Sequence, residues 1–200
     1  MLAVIGLGNV GSEYEDTRHN VGFRVIETLA GEGTRLERRS TYRFVGARIG
    51  GRRALLAQPT TYMNRSGDAV SRLAGDFGLK PEEMLVVSDD VNLPLGRMRI
   101  RRRGGDGGQK GLASIIQTIG TEEFARLRLG VGAPEDDVDL ADYVLSPFDE
   151  EEREDAERMI GRAVLCVKSW ARHGIARAMD RWNRSEPLSG GHEEGEASES

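Results

Sequence analysis

The chain has 200 residues, 38% of them hydrophobic and 30% charged, a balance that suits one soluble globular domain with a sizeable core. No apolar run approaches the ~20 residues of a membrane helix, Met1–Gly6 lacks the basic flank of a signal peptide, and a single cysteine, Cys166, excludes an internal disulfide, so a cytoplasmic setting is expected. A net charge of −5 argues against a nucleic-acid partner only if that charge is evenly spread.

Leu2–Ile5 is an apolar run that ends in a glycine-rich turn, as a buried strand does. Val21, Val25 and Leu29 recur at helical spacing and predict a helix from about Asn20 to Leu29. Tyr42–Ile49 and Arg53–Ala57, separated by Gly50-Gly51, read as a hairpin. A helix is expected from about Ser66 to Phe77, then a strand at Met84–Ser88 and an alternating strand at Arg97–Arg101. Leu112, Ile115, Ile116 and Ile119 mark another helix, and Leu127–Val131 another strand. Ser146-Pro147-Phe148-Asp149 has the form of an N-cap followed by a first-turn proline, and a last helical segment runs to about Trp182. Strands interleaved with helices predict a single α/β domain over residues 1–184, with a mixed, mostly parallel sheet flanked by helices. Residues 185–200 are Gly, Ser and Glu-rich and are expected to form a disordered acidic tail.

The charge is segregated. The tail carries five glutamates and no Lys or Arg, so residues 1–184 are neutral. Residues 135–155 hold eleven acids against Arg153, a local −10 that leaves +10 for the remaining body. Such a body can present a basic face to a polyanion.

Gly6-Leu-Gly8-Asn-Val-Gly11 matches the dinucleotide-binding pattern GxGxxG. That mechanism needs a helix to start within the loop, whereas no apolar helical face begins before Val21 and three acids intervene. The glycines are better read as a sharp turn that brings Asn9 to the end of the first strand.

Six blocks carry a stronger signal. They are Thr17-Arg-His19-Asn-Val-Gly22, Pro59-Thr-Thr-Tyr-Met63-Asn64-Arg-Ser-Gly67, Ser88-Asp89-Asp-Val-Asn92-Leu-Pro94, Gly104-Gly-Asp-Gly-Gly-Gln-Lys-Gly111-Leu, Phe124-Ala-Arg-Leu-Arg128-Leu-Gly-Val-Gly132 and Asp142-Tyr-Val-Leu-Ser-Pro-Phe148. In this order and spacing, from about Leu2 to Trp182, the chain resembles the bacterial peptidyl-tRNA hydrolase family. The resemblance implies metal-free and cofactor-free hydrolysis of the ester joining a peptide to the 3′ ribose of tRNA, in a monomeric, cytoplasmic enzyme that recycles peptidyl-tRNA released from ribosomes. It implies His19 as the base, Asp89 as the acid that orients it, and Asn9 and Asn64 as amides that position the reacting groups. Tyr14, Tyr62 and Met63 would lie in the substrate cleft, and Arg101 and Arg128 would hold a tRNA phosphate near the acceptor stem and its CCA end.

The residues themselves suit that chemistry. Histidine is the side chain whose proton affinity matches a neutral-pH base, a carboxylate fixes its tautomer, and amides can donate to an oxyanion. His19, His173 and His192 share no metal-ligand spacing. Alternation along Arg97–Arg103 puts residues 97, 99, 101 and 103 on one side, suited to phosphate. The family pattern usually has proline at Val10, histidine at Ser88, aspartate at Asn92 and His-Asn at Gln109-Lys110. Lys110 is expected to pair with Asp106 or a tRNA phosphate. These departures sustain one alternative, a non-catalytic RNA-binding protein on the same fold.

Overall fold

The computed structural model describes residues 1–134 and 137–184. The expected acidic tail lies outside the described residues. Strands β1 (Leu2–Gly6), β2 (Glu37–Arg38), β3 (Tyr42–Ile49), β4 (Arg52–Pro59), β5 (Met84–Asp90), β6 (Met98–Arg101) and β7 (Ala125–Gly130) form one sheet in the order β2-β3-β4-β1-β5-β7-β6. The four central strands are parallel, and β3 and β6 join them antiparallel on either side. Helices α1 (Val21–Ala30), α2 (Ser66–Phe77), α3 (Lys110–Ile119), α4 (Leu140–Val144), α5 (Arg153–His173) and α6 (Ile175–Trp182) complete a single α/β domain.

Alternation along the strands divides the core. Leu2 and Val4 of β1 face a cluster that contains Leu127 and the inner sides of α1 and α5, whereas Ala3 and Ile5 face α2 and α3 through Val70, Leu73, Leu112 and Ile115. Cys166 of α5 is buried in the first cluster, where desolvation pushes its thiol up to about 12. No helix among the described residues is long and apolar enough to cross a membrane.

The hairpin closes on a two-residue turn, with Ile49 opposite Arg52 and both Gly50 (φ 58°) and Gly51 (φ 85°) in the left-handed region. Two short elements escaped the periodicity: β2, whose two residues are exposed, and α4, capped by Asp139 accepting from the Ala141 and Asp142 amides. The expected helix start at Ser146-Pro147 is not there. Pro147 instead bridges to Thr17, and α5 follows a 3₁₀ turn at Glu150–Glu152 that Asp149 and Glu152 close as a reciprocal capping box. The N-cap and first-turn proline pattern is present, but the bond from the Arg18 amide to the Ser146 carbonyl (3.0 Å) holds that segment extended.

The crossover after β1 leads to β4 on one side, and the next leads to β5 on the other, so the topology switches direction between β1 and β5. Crevices at the carboxyl ends of such neighbouring strands are where open α/β sheets bind ligands.

Candidate active site

Three glycines bring the chain to that switch point. A Cβ on Gly6 would lie 2.1 Å from the Gly22 carbonyl oxygen, and one on Gly22 would lie 2.4 Å from that of Leu7. The start of α1 therefore packs backbone to backbone against the end of β1, which seats the preceding turn Arg18–Asn20 beside Asn9. Gly11, at φ 139°, lets the loop turn away without steric conflict. These contacts, not a phosphate cradle, account for the GxGxxG pattern.

His19 Nδ1 lies 2.7 Å from Asp89 Oδ2, with the two side chains 12% and 4% exposed. An ionised Asp89 accepts from Nδ1–H, which leaves Nε2 with the lone pair. Asp89 is the penultimate residue of β5, and its other oxygen, Oδ1, accepts from Gln109 Nε2 at 3.0 Å. The Gln109 Oε1 in turn accepts from the Leu112 amide at 2.8 Å and caps α3. One amide side chain thus ties the acid to the start of a helix.

Asn9 is held by its backbone. Its N–H donates to Asn20 Oδ1 (2.7 Å) and its carbonyl accepts from Asn20 Nδ2 (3.0 Å). Asn20 and Gln109 are the residues that sequence reasoning missed as parts of the site. Both lie within the six sequence blocks, Asn20 directly after the histidine and Gln109 as a departure from the family pattern. A buried polar side chain next to a site residue was the available signal, and burial could not be read without the fold.

Met63 is buried against the start of α3, where its Sδ receives Gln109 Nε2 at 3.5 Å. A Cβ on Gly111 would come within 2.5 Å of that sulfur. Tyr62 is 81% exposed beside it. Asn64 is exposed in the 3₁₀ turn Met63–Arg65 and caps no helix. Tyr14 is half-buried at the end of the Ser12–Tyr14 turn, and its carbonyl accepts from the Thr17 amide and hydroxyl. Arg18, next to His19, is buried and pairs with Glu152 (2.7 Å) while stacking over Tyr143 and Phe148. This clamp fixes the histidine turn to the segment before α5.

Toward the β6 edge the site becomes basic. Arg99 and Arg101 are exposed on the face opposite Met98 and Ile100, with Arg99 in register with Arg128 and Arg101 with Arg126. The expected arginine pair is unequal. Arg101 is open to solvent, whereas Arg128 is anchored, its Nε 3.0 Å from Asp90 Oδ2 in an ion pair too poorly aligned to be a hydrogen bond. Arg128 also donates to the Gly107 carbonyl at 3.3 Å. Arg126 is fully buried over the Phe124 ring and donates to the carbonyls of Gly104, Gly105, Glu122 and Phe124. Burial lowers its proton affinity, the Glu122 and Glu123 carboxylates partly oppose that fall, and its hydrogen bonds all go to backbone carbonyls. Lys110 is exposed at the first turn of α3 and makes no ion pair with Asp106, whose carboxylate accepts from the Gly108 amide instead (2.7 Å). Among the described residues no group of three or more His, Cys, Asp or Glu side chains could hold a metal ion.

The family model described as peptidyl-tRNA hydrolase matches residues 3–189. The peptidyl-tRNA hydrolase of Aquifex aeolicus is 47% identical over 188 residues, covering 92% of this chain and 96% of its own length. That of Salinibacter ruber is 46% identical over 188 residues, covering 91% and 97% respectively. The crystal structure of peptidyl-tRNA hydrolase from Acinetobacter baumannii superimposes with a TM-score of 0.86 at 33% identity, covering 94% of this chain and 96% of that one.

Proposed function

Since the chain belongs to the peptidyl-tRNA hydrolase family, a family of ester hydrolases acting in translation, we propose that His19 is its general base and Asp89 the acid that orients it. The observation that carries this reading is the 2.7 Å contact between His19 Nδ1 and Asp89 Oδ2 at the topological switch point. Asp89 keeps the proton on Nδ1, and Nε2 takes one from water as that water attacks the ester carbonyl. The amides of Asn9 and Asn64 donate to the developing oxyanion. Collapse of the tetrahedral intermediate returns the proton from Nε2 to the departing 3′ oxygen of the ribose. The products are a free peptide acid and tRNA with its 3′ hydroxyl restored.

The exposed Arg101 and the anchored Arg128 suit a tRNA phosphate, with Lys110, exposed at the start of α3, as a further cation. Tyr14, Tyr62 and Met63 line the approach to the ester. Contacts of this kind read charge and shape, not base sequence, which fits an enzyme that must accept every acceptor stem. One chain supplies every group invoked, which is compatible with a monomer as the working unit.

Release of an N-acetylated aminoacyl group from tRNA tests the reading. His19→Ala is expected to lower kcat by about 10²–10⁴-fold, the range for loss of a positioned base. Retention of the unmutated rate by that variant would reject His19 as the base. Binding of tRNA without turnover by the unmutated chain would favour the RNA-binding alternative.

A further inference from the structure

The side of the site away from β6 holds a second charged feature. A groove of about 410 Å³ opens beside Val10, the chain neighbour of Asn9, and runs between the segment after α1 and the ends of β2 and β3. Thr34, Arg35, Leu36, Arg38, Arg43 and Thr60 line it together with Val10 and Glu27. Three arginines against one glutamate leave the lining at +2. Their roles differ. Arg43 is occupied, donating to Gln58 Oε1 and lying 3.5 Å from Glu27 over the Phe23 ring. Arg35 and Arg38 are exposed, and no described residue engages either side chain in a hydrogen bond or ion pair.

The sheet order gives this groove a direction. The arginines suited to RNA phosphate lie on β6 and β7 at one edge, the His19–Asp89 pair lies between β1 and β5, and the groove lies toward β2 at the other edge. A substrate with RNA on the first side of its ester has its peptide on the second. Resting on the hydrolase reading above, we infer that this groove takes the peptide part of the substrate and favours chains with Asp or Glu side chains close to the ester. Val10 supplies an apolar contact at the mouth, 46% exposed, and Arg35 and Arg38 meet the acidic side chains beyond it.

Three substrates on one tRNA test this: N-acetyl-Asp-Asp-Phe, N-acetyl-Asn-Asn-Phe and N-acetyl-Lys-Lys-Phe, compared at low salt where exposed charges are least screened. The KM for the Asp peptide is expected to be about three- to tenfold below that for the Asn peptide, the range of one or two exposed ion pairs, with the Lys peptide weakest. The double variant Arg35→Ser/Arg38→Ser collapses this ratio to about one, and Arg38→Glu moves the preference toward Lys. Equal KM values for the three peptides in the unmutated chain would overturn the inference. So would a double variant that weakens all three alike with the ratio preserved, because that result marks an RNA contact. Titration with the three free tripeptide acids reads the same ratio in Kd without turnover. Failure of the hydrolase reading therefore remains distinguishable from failure of this one.

Discussion

Gln109 uses both ends of one amide, donating to Asp89 and accepting from the Leu112 N–H, at a position where neither bond can be replaced by bulk water because the side chain is 7% exposed. Gln109→Met keeps the volume and removes both bonds. We expect kcat to fall about tenfold, equivalent to ~1.4 kcal/mol for a hydrogen bond to a charged group, with KM changed less than twofold. Loss of the helix cap should add a separate stability cost of about 1 kcal/mol, read by denaturant titration. A fall in stability with kcat intact would assign Gln109 to capping alone. The pairing of His19 with Asp89 was legible from the six sequence blocks in register, and the placement of Asn9 just beyond β1 from the glycine turn. The partners that hold them were not, since Asn20 and Gln109 act through burial and direction, and neither has a periodicity. Of the two partners expected for Lys110, Asp106 or a tRNA phosphate, the first does not pair with it, since the Asp106 carboxylate accepts from a turn amide.

Elements were read well wherever their apolar spacing spanned two turns or four alternating residues. The four central strands and α1, α2, α3 and α6 fell close to their expected places, while two-residue β2 and five-residue α4 carry too few side chains to make a pattern. Tertiary contacts decided the rest. The close approach of α1 to β1 makes Gly22 a position with no room for a side chain, and backbone atoms of Leu7 and Val87 form the obstruction. Gly22→Ala is expected to destabilise by about 2–3 kcal/mol and to reduce turnover further, because the histidine turn must move with the helix. A chemical melt unchanged from the unmutated chain would refute the close contact. Edge strand β6 has its own device: Asn183, after α6, accepts from the Ile100 N–H (2.9 Å) and donates to the Ile100 carbonyl (3.0 Å). This pairs the outer backbone of the strand with a side chain and discourages pairing with another copy. Asn183→Ala should cost about 1–2 kcal/mol and raise self-association in sedimentation at high protein concentration.

Across the whole molecule, charge is partitioned about the site, with the basic β6 edge on one side and the Arg35–Arg38 groove on the other. Asn183 fixes the last described turn of the chain against the basic strand β6, and the sequence beyond it carries five glutamates. Truncation after Ser185 is expected to leave the thermal transition in place and raise tRNA affinity about twofold at low salt, a gain that fades as salt is added. Equal affinity with and without those residues would show that they do not compete with RNA. The core imposes a different dependence on pH. The Cys166 thiol is raised to about 12 in the fold from an ordinary 9.0, so the folded state favours the protonated form. Its contribution is complete below pH ~9 and drains away between there and pH ~12, where the unfolded chain alone releases the proton. Tyr42, raised from 10.0 to about 12 by burial and by its bond to Asp76, adds to the same alkaline loss. Cys166→Ala and Tyr42→Phe should each flatten the fall in stability above pH ~9.5.

Cys166 has 0% exposure on α5, and it is the chain's one cysteine. A thiol reagent at about pH 8 can reach it only when α5 lifts from the sheet, because the buried group is neither accessible nor ionised. The molecule therefore carries its own clock. Each modification event timestamps one opening of the core, in the unaltered chain and without an attached probe. Run on the native protein at rising urea, that clock would separate brief liftings of α5 from complete unfolding. It would also show whether the histidine turn, clamped through Arg18 to the segment before α5, opens with that helix or survives it.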